Sequence, residues 1–330
     1  MRRGPSPGAA ARARPGRPPV FLGKVALADG LQDYTIDYAV PLTARDLTFN
    51  VYYERTTSDV VEDPLSDLDI EGDTSTLAFR LSQPVYQTSR DQLTLAAGLD
   101  VRESETSLLG RGFPFSDGVE PDGKSSATVL RFIQEWLSRS PDQVLAARST
   151  FSLGIDAFDA TINGGDAPDG RFFAWLGQLQ WARRLGETDS QLVFRLQGQL
   201  TSDPLLPLEQ FAVGGLWSVR GYPTNALVRD QGFATGLELR VPVLYREDGA
   251  PLLQLVPFVD AGGAWYKGRG GDTPDPTTIA SAGLGLRFDP HERIHAEVYW
   301  GKAFQKDDLD RPGDSLQDDG WAFLLTADIF

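Results

Sequence analysis

The chain has 330 residues, with 31 Lys and Arg against 46 Asp and Glu, giving a formal charge of -15, a balance that excludes the basic stripe of a nucleic-acid binder. Cysteine is absent and histidine occurs twice, at His291 and His295, which excludes disulfide frameworks, thiolate metal sites, cysteine nucleophiles and polyhistidine centres; the sequence calls for no metal and no cofactor. No apolar run reaches the roughly 18 residues of a spanning helix, a test that a transmembrane barrel escapes because its strands hide as alternating segments.

In chain order, residues 1–30 read as a disordered Arg/Pro-rich segment. The first 28 residues carry five Arg and one Lys with no acid, and the first 20 carry five Pro. They hold no apolar stretch of the kind a signal peptide requires. From 31 to 330 the pattern has period two. Leu93, Leu95, Ala97, Leu99 and Val101 alternate with Gln92, Thr94, Gly98, Asp100 and Arg102. Likewise Ile294, Ala296, Val298 and Trp300 alternate with Arg293, His295, Glu297 and Tyr299. That is the periodicity of strands, in which successive side chains face opposite sides.

The alternation predicts about thirteen strands, with cores at 31–40, 46–55, 72–83, 91–104, 124–138, 143–156, 170–183, 189–201, 231–244, 252–266, 277–288, 291–302 and 319–330. Many are longer than the five or six residues typical of soluble sheets. Long Asp-rich links at 56–71, 105–123, 157–169, 267–276 and 303–318 alternate with short turns. An outer-membrane barrel arranges its extracellular loops and periplasmic turns in this way, and strand length with loop alternation favours it over a large soluble β-sandwich. Arg102, Arg131, Arg148, Asp156, Arg195, Glu238, Arg240, Asp260, Arg287 and Glu297 would then make a polar, mixed-charge lumen wall.

One segment breaks the pattern. Residues 202–230, SDPLLPLEQFAVGGLWSVRGYPTNALVRD, are neither periodic nor Asp-rich, and a long structureless loop is unusual unless functional. Its apolar content suits packing inside the lumen, and Gly214, Gly215 and Gly221 allow positive φ or close backbone approach. A lumenal Arg220 requires an acidic partner, since an unpaired buried guanidinium is costly. Alternation turns Asp260 inward between Phe258 and Gly262 and turns Glu238 inward on the preceding strand. An Arg220–Asp260 pair, with bidentate geometry available to it, would pin the loop to the wall. A solvated arginine in a turn is the alternative.

QFAVGGLWSVRGY, a strand ending LELRVPVL, then PFVDAGGAW, GLGLRF and a terminal strand closing on Phe330 together resemble the transporter component of two-partner secretion. This is the ShlB/FhaC/HecB-like branch of the Omp85 superfamily, and the resemblance runs from about residue 31 to the C-terminus. It implies a transmembrane antiparallel barrel of the Gram-negative outer membrane that secretes a large, β-helical partner exoprotein and performs no covalent chemistry. It also implies that Val219, Arg220, Gly221 and Tyr222 form the tip of the lumen-inserted loop, with Asp260 as the acidic partner on the wall. Phe330 then resembles the terminal aromatic read by the barrel-assembly machinery, although alternation sets it on the face opposite Trp321, Phe323, Leu325 and Ile329.

The family has sixteen strands, eleven of them before the motif loop, preceded by a signal peptide, a plug helix and two POTRA domains. Eight of the thirteen strands counted here precede it. The chain is therefore expected to be a truncated member holding about 13 of 16 strands. An Omp85-family assembly factor is the nearest alternative, because the VRGY loop is shared. A barrel enzyme would require a nucleophile to accompany His295, and a passive porin would not carry the VRGY signature.

Overall fold

A computed structural model describes residues 19–28, 31–59, 68–186, 188–268, 277–305 and 316–327. Its strands are β1 (Val20–Ala28), β2 (Leu31–Pro41), β3 (Thr48–Asp59), β4 (Ile70–Gln87), β5 (Asp91–Leu108), β6 (Arg111–Gly112), β7 (Lys124–Arg139), β8 (Gln143–Ile155) and β9 (Phe173–Leu185). They continue as β10 (Ser190–Thr201), β11 (Phe211–Val213), β12 (Leu227–Arg229), β13 (Gln231–Tyr245), β14 (Pro251–Trp265), β15 (Thr278–His291), β16 (Ile294–Ala303) and β17 (Trp321–Ala327). Fourteen of them form one antiparallel path in chain order, from β1 through β5 to β7–β10 and on through β13–β17. The short β6 pairs beside β5, and β11 and β12 make a separate two-stranded sheet. Among the described residues β1 and β17 are the two ends of the path and do not pair with each other.

The all-β, antiparallel architecture matches the period-two reading, with one strand more. Val20–Ala28 pairs with β2 along its whole length, from Val20 opposite Ala39 to Ala28 opposite Leu31. It lies inside the segment 1–30 that composition marks as disordered, and the path of described strands has an even number in place of thirteen. The physical reason is local: VFLGKVALA carries the apolar content of a strand, and the edge of β2 supplies the hydrogen-bonding partners that composition does not reveal. Residues 1–18 and Phe330 lie outside the described residues. Asp156 also departs from expectation, standing exposed just past the end of β8 and not on the wall.

The two faces of the sheet have inverted polarity. On the outer face Leu130, Phe132, Trp136, Leu200, Leu237, Val259, Leu284, Phe288 and Trp300 are all more than a third exposed. On the inner face Asp100, Glu238, Asp260 and Ser281 are buried. Water-soluble proteins rarely expose contiguous apolar surface on this scale, whereas an outward apolar band over a polar interior is what a lipid-facing barrel wall needs. Strand length agrees, for β4 and β5 have 18 residues each, about 60 Å at ~3.3 Å per residue.

The core sits between this inner face and the segment 202–230. Phe211, Val213, Val219, Tyr222 and Leu227 pack with Ala234, Ala264 and Ile279 of the wall. A second cluster joins Leu205 and Leu206 to Ala127, Val129, Phe172 and Ala174. Because one segment touches β7 on one side and β14–β16 on the other, the sheet wraps around it.

Candidate functional site: a loop clamped against the inner face

The segment 202–230 is built from short local devices. Pro207–Glu209 forms a 3-10 turn, and β11 and β12 pair to bring the two arms of the tip together. At the apex Gly214 and Gly215 have φ of 118° and 90°, backbone that side-chain-bearing residues seldom adopt. Ser218 closes this turn, accepting from the Gly214 N–H at 2.7 Å and donating to the Gly214 carbonyl at 2.9 Å. The next residues are Val219, Arg220, Gly221 and Tyr222, and each is fitted to a different part of the wall.

Arg220 is 1% exposed. Its Nε donates to Asp260 Oδ2 at 2.7 Å, its Nη2 to Asp260 Oδ1 at 2.9 Å and its backbone N–H to Oδ2 at 3.1 Å. Its Nη1 donates to Glu238 Oε2 at 2.7 Å. The guanidinium carbon lies 3.8 Å from the Phe258 ring centroid and 4.9 Å from that of Tyr299, so aromatic faces cover the cation where carboxylates do not. Burial opposes the charge on Arg220, but the hydrogen bonds and charges of Asp260 and Glu238 outweigh it and raise its pKa. Glu238 is shared, for Arg240 donates to its Oε1 at 2.8 Å and Arg195 approaches its Oε2 at 3.5 Å. The pairing inferred from alternation is present, and Glu238 joins Asp260 in making it.

Gly221 and Tyr222 fix the tip to β15 and β16. Gly221 has φ of 87°, and a Cβ there would lie 2.8 Å from the Gly301 carbonyl oxygen. The Tyr222 hydroxyl lies 3.0 Å from the Ala280 carbonyl and accepts from the backbone N–H groups of Gln305 at 3.0 Å and Phe304 at 3.2 Å. Val219 and Val213 fill the space left by the missing side chain of Gly262.

A second clamp was not recognised from the sequence. Glu209, at the end of the 3-10 turn, receives Arg131 Nη2 at 2.8 Å and Arg102 Nη1 at 2.9 Å on the same Oε1. Arg131 also donates to Asp100 at 2.9 Å and to Ser152 at 2.5 Å. Burial pushes the Glu209 carboxyl up, but Arg131 and Arg102 more than offset this and hold it below the usual carboxylate range. The available signal was one acid in the apolar run LLPLEQF, set against two inward arginines already assigned to the wall. Asp230 adds an anchor at the loop's far end, accepting from the backbone N–H of Leu205 at 3.2 Å and of Lys267 at 2.9 Å. Among the described residues no cluster of metal-ligating side chains occurs, and the clamped groups are arginines and carboxylates already paired with one another.

The structure resembles CdiB from Acinetobacter baumannii at a TM-score of 0.63 and 18% identity, over 89% of this chain and 49% of that one. It resembles CdiB from Escherichia coli at 0.64 and 17%, over 89% and 52%. BamA from Haemophilus ducreyi lacking POTRA domains 1–3 aligns at 0.64 and 12%, over 93% and 64%. At these identities the likeness is one of fold, and the chain spans about half the length of the two CdiB chains. A sequence search of curated proteins returned no match. Residues 23–288 match a family described as haemolysin secretion/activation protein ShlB/FhaC/HecB. With most of its length inside that match and the VRGY loop clamped to the inner face, the chain belongs to the ShlB/FhaC/HecB family of haemolysin secretion/activation proteins.

Proposed function

We propose that this chain acts in the bacterial outer membrane as the translocating part of a two-partner secretion system, carrying an unfolded exoprotein past a wall of mixed charge. The observation that supports this most directly is the buried Arg220 held between Asp260 and Glu238, which fixes a large loop on the polar face without forming a catalytic group. Family membership points to secretion, and the activity is transport, not enzymatic turnover. A wall whose charges are mostly paired with one another gives a passing polypeptide no strong electrostatic hold. In this reading the partners are a large exoprotein of β-helical type, the barrel-assembly machinery and outer-membrane lipid, with Phe330 as the terminal aromatic that the assembly machinery reads.

The test is co-expression with an exoprotein bearing a two-partner secretion domain, scored for its appearance at the cell surface. Arg220→Ala should reduce surface exoprotein more than it reduces the amount of chain inserted in the outer membrane. Equal loss of both would make the clamp purely structural. Enhanced insertion of unrelated barrels, with no exoprotein secreted, would favour an assembly factor.

A further inference from the structure

Trp217 stands between the buried Gly215 of the apex and the buried Val219–Arg220 pair, yet it is 71% exposed. The other six tryptophans lie on strands β7, β9, β14, β16 and β17, and all are less exposed. Trp217 instead overhangs a cleft of about 470 Å3 on the inner face, within the roughly 300–1,000 Å3 range of ligand clefts. An indole left in an aqueous interior forfeits the stabilisation that its burial would bring.

The wall opposite is ordered by strand register. Glu135, Arg148, Gln178 and Gln197 are successive partners across β7, β8, β9 and β10. Their side chains therefore stand in one row at steps of about 4.8 Å. Gln180 extends the same face of β9 by one further position. Arg148 and Glu135 pair at 3.6 Å while both remain over a third exposed, so the row presents no strong net field to a charged ligand. Each glutamine amide offers two donors and an acceptor, so a row of them can satisfy backbone N–H and C=O groups in either order. Gln199 makes a contrast, spending its amide on the carbonyls of Glu209 and Asp230.

We propose that this cleft is a binding site for an extended polypeptide segment, with Trp217 covering one apolar or aromatic side chain and Gln178, Gln180 and Gln197 pairing with the adjacent backbone. The inference rests on the translocation reading above and adds to it a specific contact surface for the moving chain.

The chain has no cysteine, so Thr94→Cys, which lines the cleft beside Glu135 and lies outside the proposed contacts, gives a unique position for an environment-sensitive fluorophore in the full chain reconstituted in liposomes. The probe is a synthetic unstructured peptide carrying leucine and phenylalanine among serines, compared with an all-serine/glycine peptide of the same length. Saturable binding of the first is expected, weakened about tenfold or more by Trp217→Ala, as for an aromatic anchor, and less by Gln178→Ala. The serine/glycine peptide should bind more weakly than the first. No saturable signal, an unchanged Kd in Trp217→Ala, equal binding of both peptides, or preferential binding of a neutral oligosaccharide would each overturn the site. The secretion assay keeps the two readings apart: peptide binding lost with secretion intact removes the cleft alone, whereas secretion absent with peptide binding intact removes the transport reading alone.

Discussion

Asp260 takes three hydrogen bonds from a single residue, the backbone N–H, Nε and Nη2 of Arg220, at 3.1, 2.7 and 2.9 Å. One carboxylate therefore fixes both the side chain and the backbone position of the loop tip. Removing either partner of a buried ion pair costs about 3–5 kcal/mol, because the other is left uncompensated. Arg220→Ala should thus free the tip, and Arg220→Lys should rescue it poorly, since an ammonium cannot make the fork. Protease cleavage within 202–230 of the membrane-inserted chain reads this directly; a loop as resistant as wild type in Arg220→Ala would contradict it.

Gly221 and Gly301 meet backbone to backbone. A Cβ on Gly301 would lie 2.9 Å from Gly221 Cα, so each residue forbids a side chain on the other. Gly221→Ala adds a left-handed backbone penalty of roughly 1–2 kcal/mol to this clash, whereas Gly301→Ala carries the clash alone. Both should lower the temperature at which the segment 202–230 of the membrane-inserted chain becomes open to protease, Gly221→Ala by more.

The Tyr222 hydroxyl serves backbone groups at the end of β16 and on β15. Tyr222→Phe keeps the ring in its cluster but removes the acceptor of the Gln305 N–H, at a cost of about 1–3 kcal/mol, while the Phe304 N–H keeps the Ala280 carbonyl at 3.0 Å. Faster hydrogen exchange at the amide of Gln305, with a smaller change at Phe304 and exchange at β5 unchanged, is the expected signature.

The Glu209 clamp predicts a pH dependence. Because the folded carboxyl lies below its unfolded value, the clamp stabilises the loop fully above the ordinary glutamate pKa, about 4.3, and the stabilisation is lost as pH falls through the lower folded value. Hydrogen exchange at residues 205–210, corrected for its intrinsic pH dependence, should rise in acid for the wild type. Glu209→Gln should show raised exchange already at neutral pH and little further change on acidification. A wild-type profile in that variant would show that Arg102 and Arg131 do not hold the loop through charge.

Period-two alternation in the chain was enough to place thirteen of the fourteen strands on the described path, and their facing. Side-chain direction in a strand alternates with period two, so Asp260 and Glu238 could be turned toward Arg220 from the chain alone, and the lipid-facing residues separated from the wall. The loop also announced itself, as an apolar stretch with neither alternation nor acidic solvation. What tertiary structure decided were the relations between residues far apart in the chain. Glu209 meets Arg102 and Arg131 across more than seventy residues, Gly221 meets Gly301, and β1 exists as a strand because β2 offers it an edge. Local periodicity says which way a side chain points along its own strand. It does not say which strands the folded sheet curls around a given loop, and that curvature alone brings these partners together.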